Sequence, residues 1–90
     1  MATSEVSRGS LDGRVVVVTG GNGGIGLGMA KAMAIAGAEV AVWGRNEAKN
    51  AAAVEQLEAT GRRALAVACD VSDEHQVAEA METTLASFDR

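Results

Sequence analysis

The chain has 90 residues, a formal net charge of −4, 48% apolar residues, eleven glycines and no proline. That length holds one small domain at most, and the acidic balance without a basic run argues against nucleic acid or an anionic membrane surface as the main partner. One cysteine, Cys69, precludes an internal disulfide and suits a reducing compartment. No apolar stretch is long enough to span a membrane, and the opening MATSEVSRGS lacks the apolar core of a secretory signal. Residues 1–10 therefore read as a flexible tail on a soluble, cytoplasmic protein.

Leu11 to Arg14 lead into a run of four valines that ends in Thr19. The run is continuous rather than alternating, as in a strand buried on both faces, so residues 14–19 are expected as the first strand. Five of the next seven residues are glycine, which marks a tight turn over 20–24. A helix over 25–36 follows, with Ile25, Met29, Ala32, Met33 and Ala36 as its apolar stripe. Gly28 inside it costs about 1 kcal/mol against alanine, which close packing of helix on strand would offset. Gly37 is the expected left-handed cap.

Residues 39–44, EVAVWG, form a second expected strand. A helix over 46–60 should bury Ala53, Val54 and Leu57, turn Glu47, Lys49, Glu55 and Glu58 outward, and end at Gly61. Residues 63–69, RALAVAC, form the third strand. Asp70, Val71 and Ser72 make the next loop, with Ser72 as candidate N-cap and Asp73 and Glu74 at the positive end of the last helix. The stripe of that helix is expected at Val77, Met81, Leu85 and Phe88. Trp43 is expected to pack under the second helix, with the border of a ligand pocket as its other use. His75 reads as a surface residue, Cys69 as a small buried hydrophobe, and no cluster of metal ligands is apparent.

The order strand, helix, strand, helix, strand, helix implies an α/β fold with a parallel sheet and right-handed crossovers. In a doubly wound sheet of order 3-2-1-4 the first strand lies in the middle. With three strands it would be an apolar, unpaired edge, so residues 11–90 are expected to be the first part of an incomplete Rossmann-like domain.

The glycine turn fits two registers. Gly21-x-Gly23-x-x-Gly26 matches the general dinucleotide fingerprint, and its place between a strand and a helix raises its weight. Thr19-Gly20-x-x-x-Gly24-x-Gly26, read from TGGNGGIG, resembles the T-G-x-x-x-G-x-G signature of the short-chain dehydrogenase/reductase family. LDGR before the first strand, GRN after the second and ALAVACDVSDE at the third also fit, so the resemblance runs from about Leu11 to Phe88. A glycine turn chosen only for tightness is the plain alternative.

The resemblance implies a nicotinamide dinucleotide as cofactor. Gly20 lets the chain leave the strand sharply, Gly24 keeps a side chain off the pyrophosphate, and Gly26 brings helix and strand together. Asn22 and Gly23 line the loop, and Ile25 opens the helix under the phosphates. At the end of the second strand NAD enzymes commonly place an acid on the ribose hydroxyls. This chain has Arg45 and Asn46 there. A guanidinium suits a 2′-phosphate, so NADP(H) is expected over NAD(H), with an ordinary surface arginine as the alternative. NADP-preferring relatives often carry a second basic residue inside the turn; this chain has Gly23 at that place, which weakens the expectation and leaves Asn22 as the only polar helper. Asp70 would accept from the adenine amino group, with the Val71 backbone beside it; a loop acid that caps the next helix is the competing reading.

The family's catalytic groups are an active-site serine and a Tyr-x-x-x-Lys pair in later segments. The 90 residues contain no tyrosine, so no catalytic residue is assigned. The expected parent is an oxidoreductase that moves a hydride between NADP(H) and a carbonyl or alcohol, as a homo-oligomer. The alternative is a non-catalytic nucleotide-binding or interaction module complete at this length. A methyltransferase ranks low, because Thr19 and Arg45 stand where that family carries acids. A P-loop enzyme is excluded, since no Gly-Lys-Ser/Thr follows the turn.

Overall fold

Three strands and three helices alternate along the residues that a computed structural model describes, 11–20 and 23–88: β1 (Val15–Thr19), α1 (Gly24–Ile35), β2 (Glu39–Gly44), α2 (Glu47–Glu58), β3 (Ala64–Ala68) and α3 (Glu74–Phe88). The expected tail, residues 1–10, lies outside them. The strands are all parallel and β2 is central, so the sheet runs 3-2-1 from one edge as expected. Val16 pairs with Val40 and Thr19 with Trp43, while Gly44 pairs with Ala68. All three strands therefore end at one rim of the sheet.

Each face of the sheet has its own core. On one side Val40, Val42 and Leu57 meet Ala30, Ala34 and Ala38, with Val16 and Val18 of β1 partly buried against them. On the other side Ala41, Trp43, Cys69, Ala80 and Phe88 pack together, with Val15 and Val17 partly buried. The four valines thus serve both faces, but as an edge strand β1 is only half-buried, whereas Val40–Trp43 of β2 are buried throughout.

The helices correct several sequence expectations. In α1 the buried positions are Ala30 and Ala34, and Ile25 is 85% exposed rather than on the core stripe. Small alanines let the helix approach the sheet closely, and the larger Leu27 and Met33 flank the contact. In α3 the buried set is Ala80, Thr84 and Phe88, with Val77 half-buried, while Met81 and Leu85 are exposed. Trp43 lies under α3 rather than α2, and its indole Nε1 donates to Thr84 Oγ1 at 3.1 Å. That bond explains why a threonine displaces the larger apolar residues from the buried stripe: the indole N–H needs an acceptor in the core. Asp73, not Ser72, caps α3, for its Oδ1 accepts from the His75 and Gln76 backbone amides.

Gly37 and Gly28 differ in what they do. Gly37 has φ +111, and the Ala38 and Gly37 amides bond back to the Met33 and Ala34 carbonyls in a Schellman cap. A Cβ there would lie 2.0 Å from Asp12 Oδ1 and 3.0 Å from the Asp12 backbone nitrogen. Asp12 is itself bonded to Arg62. A Cβ on Gly28 would meet nothing within 4 Å, so the close helix–strand packing expected of it is not there. Gly37→Ala should therefore cost about 2 kcal/mol or more. Gly28→Ala should gain about 1 kcal/mol. Denaturant midpoints of the two variants check this pair, which must move in opposite directions.

Candidate functional site

At the rim where the strands end, a cleft of about 510 Å³ is lined by Thr19 and Gly20, by Trp43, Gly44 and Arg45, and by Cys69 with the Asp70–Ser72 loop. Sites in open α/β sheets lie outside the carboxyl ends of the strands, for there successive strands release their loops around a common hollow. The Gly20 amide donates to the Trp43 carbonyl at 3.0 Å, which carries the β1–β2 ladder one residue into the turn. Gly20 then takes φ +70 and the chain turns away. Trp43 is almost fully buried and forms the floor, held from below by Thr84.

The end of β2 is fixed by a residue the sequence reading passed over. Asn50 is buried and its Nδ2 donates to the Gly44 carbonyl at 2.8 Å. The same carbonyl accepts from the Cys69 amide at 3.2 Å. These bonds set the point from which Arg45 departs. The available signal was a polar residue on the stripe of α2 formed by Ala53 and Leu57. Asn46 caps α2, its side chain accepting from the Lys49 amide at 2.9 Å, and does not line the cleft.

Arg45 and Asp70 reach the cleft from neighbouring strand ends. Arg45 Nη1 lies 3.8 Å from Asp70 Oδ2, and the Arg45 side chain is 77% exposed. An exposed pair at that separation is screened by solvent and gives way readily to a ligand. Asp70 Oδ1 accepts from Ser72 Oγ at 2.6 Å and from the Ser72 amide at 3.0 Å. The bonds from Ser72 hold the carboxyl below the usual carboxylate range; desolvation opposes them and Arg45 helps. A group depressed in this way stabilises the fold above its unfolded pKa, and that contribution is lost as pH falls through the folded value. Asp70→Asn should therefore melt below wild type at neutral pH, and the gap should close as the medium is acidified below the usual carboxylate range. A gap that persists unchanged in melting curves taken across that range would contradict the assignment.

The start of α1 adjoins Gly20, and Gly23, Gly24, Ile25 and Gly26 stand there without lining the cleft. Gly21 and Asn22 lie outside the described residues. Gly23 is the N-cap, offers no side-chain cap, and no acid occupies the first turn. The first amides of a helix have no partner within it and carry its partial positive charge. Gly24 has φ +57, which favours glycine, but Gly23 is extended, and a Cβ on either would meet nothing within 4 Å. Nothing among the described residues crowds this space. Among those residues there is also no cluster of metal-ligating side chains, and no helix long and apolar enough to cross a membrane.

The family model for short chain dehydrogenases matches residues 14–90. The chain belongs to the short-chain dehydrogenase family. It is 43% identical over 70 residues to a sorbose reductase of Candida albicans, covering 78% of this chain and 25% of that protein. It is 41% identical over 81 residues to a 3-oxoacyl-acyl-carrier-protein reductase of Chlamydia trachomatis, covering 89% and 33%. Among solved structures it resembles a 3-ketoacyl-acyl-carrier-protein reductase of Brucella melitensis complexed with NADH, with a TM-score of 0.82, 38% identity, and 90% and 32% of the two chains covered. A xylitol dehydrogenase bound to NAD+ gives a TM-score of 0.85 at 29% identity over 89% and 31%. This short-chain dehydrogenase sequence thus spans about a quarter to a third of the length of these relatives. The family binds nicotinamide cofactors and includes NAD(P)-dependent oxidoreductases.

Proposed function

We propose that these residues are the adenosine- and pyrophosphate-binding part of an oxidoreductase that transfers a hydride between NADP(H) and a carbonyl or alcohol substrate. The observation that carries the reading is the start of α1, where Gly23 and Gly24 follow the turn from β1 with no side-chain cap and no acid in the first turn. Apart from its chain neighbours, no described residue lies within 4 Å of a Cβ placed on Gly23, so packing against them does not account for a glycine there. A diphosphate set against the α1 amides does. Gly20, Gly24 and Gly26 shape that seat, and Ile25 borders it. Asp70 accepts from the adenine amino group, the Val71 backbone borders the ring, and Trp43 forms the floor of its cleft.

Arg45 supports NADP(H) over NAD(H). Its side chain is well exposed at the end of β2, and neither flanking residue, Gly44 or Asn46, is an acid. Asn46, held as a cap, acts by fixing the start of α2 beside it. When bound, the nicotinamide ring supplies or accepts the hydride. The 90 residues hold no tyrosine, so they bind without turning over by the family's Tyr-Lys mechanism. A homo-oligomeric, cytoplasmic enzyme belongs to the same proposal.

Titration of the intact protein with NADPH and NADH, followed by nicotinamide fluorescence, tests it. Tighter binding of NADPH is expected. Equal or tighter NADH overturns the cofactor preference, and no uptake of either at millimolar concentration overturns the reading as a whole.

A further inference from the structure

We infer that Ser72, backed by Gln76, is a positioning residue that aims the Asp70 carboxylate at the amino group of an adenine ring in the cleft. The inference rests on the cofactor reading above and assigns a role to two residues to which that reading gives none. Asp70 is held at both of its ends. Its Oδ1 takes two hydrogen bonds from Ser72, one from the hydroxyl at 2.6 Å and one from the amide at 3.0 Å. Its backbone amide donates to Gln76 Oε1 at 2.9 Å. Gln76 is in turn anchored, because its Nε2 donates to Asp73 Oδ2 at 3.2 Å while Asp73 Oδ1 caps α3. The backbone of Asp70 is thus tied to the start of α3 through Gln76, and its carboxylate to Ser72 in the preceding loop.

The consequence lies in what remains. Oδ1 is committed to Ser72, and Oδ2 is the oxygen turned toward Arg45, at 3.8 Å from Nη1. That separation exceeds a hydrogen bond. Ser72 keeps the aspartate from closing on the guanidinium, and the two groups stay apart for a ligand that uses both. Without the hydroxyl only the Ser72 amide holds Oδ1, and the carboxylate turns more readily about its side-chain torsion to pair with Arg45, which draws acceptor and cation out of the cleft together.

The test compares NADPH with its hypoxanthine analogue, in which a carbonyl oxygen replaces the adenine amino group. Binding to the intact protein is followed by nicotinamide fluorescence. Wild type should prefer the adenine form. Ser72→Ala should reduce that preference by about tenfold, as expected for one hydrogen bond to a charged acceptor. Ser72→Thr, which keeps the hydroxyl, should retain it. Gln76→Leu, which frees the Asp70 backbone and leaves Ser72 in place, should reduce it in the same direction. If Ser72→Ala weakens both ligands by one factor with the preference unchanged, the role is structural only and the inference fails while the cofactor reading stands. If wild type binds both ligands equally, Asp70 does not read the amino group and that part of the cofactor reading falls too.

Discussion

Replacing Arg45 by aspartate should weaken NADPH binding by about tenfold to a hundredfold while leaving NADH binding unchanged or tighter. A hydrogen-bonded cation on a phosphate is worth about 1.5–3 kcal/mol, and each 1.4 kcal/mol is about a factor of ten. The substitution removes the guanidinium and places an acid where NAD enzymes hold the ribose hydroxyls. Little stability should be lost, because the ion pair with Asp70 is exposed and long at 3.8 Å. Dissociation constants for both cofactors, measured on wild type and variant, decide the matter. An equal loss for the two would mean that Arg45 shapes the cleft without reading the 2′ position.

Trp43→Ala should cost about 3–5 kcal/mol, the range for removing a large aromatic side chain from a core. Trp43 is only 4% exposed and packs against Ala41, Cys69, Ala80 and Phe88. Against a net stability of about 5–15 kcal/mol such a loss is large, and it removes the floor of the cleft as well. Trp43→Phe keeps most of the packing and loses only the bond to Thr84 Oγ1, so it should cost about 1 kcal/mol beyond its smaller contact. Urea unfolding of both variants measures this. A cost below 1 kcal/mol for Trp43→Ala would remove Trp43 from the core of this face.

Much of the fold was legible before any coordinates. Strand ends fell within a residue of their expected places at β1 and β3, and β2 matched, because continuous apolar runs and the glycines at 37 and 61 state their backbone needs locally. The faces of the helices were less legible. Helical spacing offered Met81 and Leu85 as inward residues, whereas the sheet accepted Ala80 and Thr84. The two stripes are neighbours on one helix, and the choice between them was made by the size of Trp43 and its need for an acceptor. Ile25 was misplaced for a similar reason, since the alanines of α1 permit a closer approach than its larger side chains do.

The site divided in the same way. Gly20, Arg45 and Asp70, which line the cleft, were picked out by their place at strand ends, a property of short segments. Asn50, Ser72 and Gln76 were not, because each acts on a group that only the folded chain brings near. By itself, the order of residues determined the alternation of strands and helices, the left-handed turns and the rim at which a ligand would sit, since hydrophobic period and glycine backbone freedom operate over a few residues. Tertiary structure alone decided which side chains share the cleft, how far Arg45 stands from Asp70, and which core Trp43 enters. Those depend on the parallel register of β1, β2 and β3, and register is set by packing between segments distant in the chain.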